Sequence, residues 1–169
     1  MAKPKVTKKE VSQEFKLREL LGEKRVKELR ASKILKAFRD DLATNMINEV
    51  IDRTQDNKNI RGGSFANYSK SYAKLKGVNR SDVDMTLKGA MLDSIRNVKS
   101  TALDSVKIKV GEGVNSKKAY NHQVGDTLPR RQFFGLLKKD AKELAESLYE
   151  QYTDDVAITE EDIEVEGGA

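Results

Sequence analysis

The 169 residues contain no cysteine, which excludes disulfides, thiolate metal sites and a cysteine nucleophile together. Only two prolines stand beside eleven glycines, so the chain is neither a proline-rich spacer nor collagen-like. No apolar h-region follows Met1-Ala2-Lys3-Pro4-Lys5, and no secretory signal is expected. No run approaches the roughly 18 apolar residues that a membrane span needs. The expectation is a soluble protein of the cytoplasm in which it is made, with no membrane partner.

What the chain does have is charge, and the charge is polarised. Residues 1–39 carry thirteen Lys/Arg against five Glu, a net of +8, whereas residues 153–169 carry seven Asp/Glu and no base. Such polarity suits head-to-tail subunit contacts or a nucleic-acid surface, and equally suits solvated ends that keep the chain soluble. The length allows one domain with a real core. The expected division is a basic arm or helical extension over 1–30, one assembly domain over 31–152, and an acidic, mobile tail over 153–169.

Hydrophobic spacing supplies the elements. Residues 1–10 read as a free arm, and helical character begins near Val11 with Phe15, Leu17, Leu20 and Leu21, broken at Gly22. Ile34, Leu35, Phe38, Leu42, Met46, Ile47, Val50 and Ile51 recur at three and four, predicting a helix of about 20 residues. Ser32 can cap a separate start, or one longer helix can run from before Val26. Residues 54–63 form a polar loop. Its Gly62-Gly63-Ser64 lacks the lysine of a phosphate-binding loop.

Tyr68, Tyr72 and Leu75 predict a short helix over 65–76, stopped at Gly77. Its tyrosines, among lysines, suit either base stacking or core packing, the second being the commoner. Asp82 and Asp84 lack the other carboxylates of a calcium loop and instead cap a helix over 86–95, which contains Gly89. Residues 96–103 read weakly as a strand and Val106, Ile108 and Val110 strongly as one, joined by a tight turn at 103–105. Gly111 and Gly113 lack a third glycine at dinucleotide-fingerprint spacing. His122, the sole histidine, sits in a turn that Gly125 ends. No nucleophile-elbow pattern accompanies it, so catalysis is only a foil. Phe133 and Phe134 would face opposite sides of a strand. Asp140, with Glu143 three residues on, would cap a last helix striped by Ala141, Leu144, Ala145, Leu148, Tyr149 and Tyr152.

Four segments in order resemble the phage virion morphogenesis proteins, the neck and tail-completion family of tailed bacteriophages. The first is the glycine and tyrosine-bearing run from Gly63 through Tyr68 and Tyr72 to Lys76. The second is Leu87, Gly89, Met91, Ser94 and Ile95. The third is Tyr120, His122, Gln123 and Gly125, and the fourth is Pro129, Arg131, Phe133 and Gly135. Gln132 stands where a second proline is common, and Phe65 near where the family often has tryptophan. The resemblance spans about 31–152.

It implies an α+β fold, a small antiparallel sheet flanked by a long N-terminal helix and a C-terminal helix. It also implies a homo-oligomeric ring at the head–tail junction of the virion, assembled in the host cytoplasm. The ring would meet other connector, neck or tail proteins and surround the path of the genome DNA. No catalysis, cofactor, metal or small-molecule substrate is implied. Gly89, Ser94, Tyr120, His122, Gln123, Gly125, Pro129, Arg131 and Phe133 are the expected fold and interface positions. The alternative is a nucleic-acid-binding module using the basic N-terminal helix and the Tyr68/Tyr72 face.

Overall fold

The structure, a computed structural model, describes residues 3–83, 89–99, 101–125 and 129–167, with side chains to 154. Four strands form one antiparallel sheet in the order β1-β2-β4-β3: β1 Lys5–Val6, β2 Val11–Lys16, β3 Arg96–Asn97 and β4 Ser105–Lys109. Among the described residues the helices are α1 Leu17–Leu21, α2 Glu23–Ala31, α3 Leu35–Gln55, α4 Lys70–Lys76, α5 Ala90–Asp93, α6 Val114–Val124 and α7 Lys138–Gly167. This is an α+β fold, with long α3 and the C-terminal α7 flanking a small sheet. None of the described helices is long and apolar enough to cross a membrane.

The N-terminus corrects the sequence reading. Residues 5–16 are a hairpin in the sheet, neither a free arm nor the start of a helix. The reason is local. Thr7 and Glu10 exchange bonds across the turn, Thr7 N donating to Glu10 O at 2.8 Å and Glu10 N to Thr7 Oγ1 at 3.0 Å. Beyond the turn, Val11, Gln13 and Phe15 repeat at period two and are buried, and β2 pairs with β4 along its whole length. The wet side of this sheet is held by charge. Glu10 meets Lys5 at 2.9 Å and Lys107 at 3.3 Å, and these ammonium groups pull its carboxyl down to about 2.

The helix from the Ile34 stripe forms as expected. Phe38, Leu42, Ala43, Met46 and Val50 are fully buried on it, and Ala141, Ala145 and Leu148 of α7 bury their stripe on the same core. Of the two possible starts the separate one is found. Lys33 adopts a left-handed φ of 60° between α2 and α3, which ends one helix and redirects the chain into the next. Tyr152 packs edge-on to Phe38 at 5.4 Å and donates to Asp41 near the start of α3, while Asp140 at the start of α7 acts on Arg53 near the end of α3, so α7 runs antiparallel to α3.

Other elements differ in extent. The Tyr68 helix starts only at Lys70, because Ser69 accepts the Tyr72 amide at 3.2 Å and caps it there, and Gly77 closes it in the left-handed region. Ser69→Ala should therefore cost about 1 kcal/mol in chemical denaturation, with no change in denaturant slope. Gly89 precedes α5 at a φ of 68°; it is a cap, not an interior position. Residues 86–88 of the predicted 86–95 helix, and Asp84, fall outside the described residues; at its other end the helix stops at Asp93, with Ser94 as its C-cap. Strand β3 is two residues long, so the expected 96–103 strand is shorter, and a tight turn is found over 102–105, closed by Ser105 N on Ala102 O at 2.9 Å.

Helix α6 is the main addition: His122 lies in its last turn, not in a separate turn. Residues 133 and 134 are no strand of the sheet, and both phenylalanines are fully buried. Asp140 lies inside the first turn of α7, which begins at Lys138 with Ala141 N bonding Leu137 O. The acidic residues expected to form a mobile tail continue α7 to Gly167.

Candidate functional site

The conspicuous local structure is the segment 131–136, an irregular chain crossing the core whose backbone partners are largely side chains. Gln123 of α6 and Gln13 of β2 are both buried. The amide of Gln123 accepts from Phe134 N at 3.0 Å and donates to Phe134 O at 3.4 Å. That of Gln13 accepts from Leu136 N at 2.8 Å and donates to Leu136 O at 2.9 Å. From α3, Arg53 Nη2 donates to Phe133 O at 2.5 Å and Gly135 O at 2.8 Å. Each glutamine thus imitates a strand neighbour, satisfying one N–H and one C=O that burial would otherwise leave stranded. Gly135 has a φ of 108°, and a Cβ there would lie 2.8 Å from Pro4 Cγ, so the segment admits glycine alone at that point.

Arg131 holds the N-terminal end. Its backbone N–H donates to His122 O at 2.6 Å, closing the C-terminal turn of α6 onto the segment. Its guanidinium donates to Ala66 O and Asn67 O, both at 2.9 Å, and lies 5.3 Å over the Tyr68 ring. Arg80 Nε donates to Tyr68 O at 2.9 Å on the same loop. Gly125 ends α6 in the left-handed region, with Arg130 N only 2.9 Å from where its Cβ would stand. Burial lowers the pKa of Arg131, with the two tyrosines opposing the shift.

His122 is packed edge-on to Phe133 at 6.4 Å, and its Nδ1 is buried without a partner among the described residues. Burial first, and the neighbouring Arg131 second, push its pKa down to about 4. The ring is therefore neutral at neutral pH, and the described groups that act on it are the Arg131 guanidinium and the Phe133 ring. Among the described residues no group of three His, Asp or Glu side chains is placed to hold a metal ion.

The predicted positions divide into two sets. His122, Gln123, Gly125, Arg131 and Phe133 converge on the knot. Ser94 belongs to a second contact, where its Oγ donates to Met91 O at 2.6 Å and accepts from Gly111 N at 3.1 Å, and Gly89 caps α5. Tyr120 is half-buried on α6 beneath the Lys8 ammonium, 5.9 Å away, and Pro129 is exposed. Gln13 and Arg53 were not singled out from sequence. Their signals were present: Gln13 holds an inward place between Val11 and Phe15, and Arg53 follows Val50 by three on the buried face of α3.

The proposed base-stacking face is also located. Tyr68 is 4% exposed and packed against Tyr72 with ring centroids 4.7 Å apart, so its face is core. Compared with family models, curated proteins and solved structures, the chain matches none.

Proposed function

We propose that this chain is a structural subunit of the head–tail connector of a tailed phage, a neck or tail-completion protein that assembles as a ring around the DNA path. One observation carries the reading. Three of the four motif segments that prompted the resemblance meet at a single residue: Arg131, in the fourth segment, bonds His122 of the third through its backbone N–H and the 66–67 backbone of the first through its guanidinium. The motif residues act as a fastening that presents α4, α6 and the intervening loops in a fixed relation, which suits a part whose work is shape. Polarised charge supports the same reading, because opposite charge at two ends of a chain favours heterologous contacts between copies.

The test is negative-stain imaging and sedimentation of the purified chain, together with inspection of the genes beside its own. Ring-shaped oligomers and neighbouring portal, major capsid and tail-tube genes are expected. Absence of those genes from the locus would sink the connector assignment. Tight DNA binding that falls steeply with salt would favour the nucleic-acid alternative instead.

A further inference from the structure

Helix α6 presents its second face to solvent. Ser116, Ala119 and Gln123 turn inward. On the other side lie Val114, Lys117, Lys118, Asn121 and Val124, at helical spacings of three and four. Val114 is 67% exposed and Val124 41%, so two valines flank a pair of exposed lysines on the wet side of the helix. The β1–β2 turn lies alongside, with Ser116 Oγ donating to Lys8 O at 3.0 Å and the Lys8 ammonium over Tyr120. Exposed Lys8 and Lys9 therefore extend the face, and α6 itself contains no carboxylate. Exposed apolar groups beside four lysines, with the nearby Glu112 carboxylate already paired to Lys109, make a surface suited to an acidic, partly apolar partner.

The same chain carries such a partner. Tyr152 sits over Phe38, within one turn of the start of α3 at Leu35. At 1.5 Å per residue, the residues from 153 to 167 carry α7 about 22 Å past that level. This length holds seven carboxylates, no base, and Val156, Ile158, Ile163 and Val165.

We propose that the acidic end of α7 from one copy docks on the Val114–Val124 face of α6, with Lys8, Lys9, Lys117 and Lys118, of the next copy. The occupant is a second copy of this chain because its charge and apolar content complement the face. The contact rests on the assembly reading above and gives it a direction. Face and helix end are different surfaces, so each copy offers one of each, the condition for a heterologous ring or chain.

Two full-length variants test this. The face variant carries Lys117→Glu and Lys118→Glu. The tail variant carries Asn or Gln at all seven acidic positions from 154 to 166. Both substitute solvent-facing or terminal positions, and circular dichroism checks that each is folded. In sedimentation at low salt the wild type should self-associate, and each variant alone should do so about tenfold more weakly or not at all. Mixed, they should form a pair that stops at two chains, since only one intact face and one intact tail remain. Raising the salt should dissolve both the wild-type assembly and the pair.

Wild-type assembly unchanged by either variant rejects this contact and leaves the connector reading standing on another interface. Failure of the mixed pair while wild type assembles rejects it too. A wild type that stays monomeric at low salt also rejects it, and the connector reading is then judged by the gene neighbourhood alone. Loss of DNA binding in the face variant, with self-association retained, assigns the face to nucleic acid and overturns the proposal.

Discussion

Gln13→Leu should destabilise the fold by about 4 kcal/mol, although the two side chains are similar in size. The substitution leaves no large cavity, so the loss is polar. Gln13 now satisfies both the N–H and the C=O of Leu136, and leucine satisfies neither. Each buried group left unpaired costs roughly 1–3 kcal/mol. For a chain of this length the midpoint of thermal unfolding should fall by about 10 °C. Gln13→Glu separates this account from simple packing. A carboxylate can still accept from Leu136 N–H, but its second oxygen faces Leu136 O, so the variant should be poor at neutral pH and recover as acid protonates it. A Gln13→Leu protein as stable as wild type, or a Gln13→Glu protein indifferent to pH, would show that the glutamine is filler.

The importance of Gln13 bears on what could be read from sequence. Long α3 was legible because eight apolar residues keep helical spacing over eighteen positions. Strand β4 was legible because Val106, Ile108 and Val110 alternate with two lysines. Strand β2 was missed for a physical reason. Its alternation reads Val-Ser-Gln-Glu-Phe-Lys, and the inward place between valine and phenylalanine is filled by a polar residue. The buried glutamine that makes 131–136 possible also erased the pattern that would have revealed the strand. Helix α6 was missed likewise, since its inward face is Ser116, Ala119 and Gln123, with valines on the wet side. Where tertiary hydrogen bonds replace apolar contact, hydrophobic periodicity is silent.

The candidate site was half legible. Residue types at 122, 123, 125, 131 and 133 marked a place where the backbone is fixed, and the structure brings these five together. What the sequence could not supply is the identity of the fasteners from elsewhere. Arg53 lies 80 residues from Phe133 and Gln13 lies 123 from Leu136, and neither separation has a local signal. Gly89 and Ser94, grouped with the others by motif, lie elsewhere: Gly89 caps α5 and Ser94 makes the separate Gly111 contact. Order along the chain carried the resemblance, but only packing distinguishes a knot from its neighbours.

His122 gives the second large effect, through pH. Its folded pKa, about 4, lies below the ordinary 6.5 because the ring is buried beside Arg131. The unfolded chain therefore takes up the proton first. Stability from this group is complete above about 6.5 and is lost as pH falls toward 4. Between pH 7.5 and pH 5 the loss should be about 2 kcal/mol, since at pH 5 the unfolded imidazole is largely protonated and the folded one is not. Glu10 contributes its own loss only at lower pH, between the ordinary carboxylate value and about 2, so the two steps are separable. The measurement is urea unfolding at pH 7.5, 6 and 5 for the wild type and His122→Gln. Glutamine has no charge to gain, so its stability should be flat over this window even if its absolute value is lower. A parallel fall in both proteins would assign the acid sensitivity elsewhere. A flat wild type would mean that the ring finds a partner for its proton, and that Arg131 does not press on it in solution.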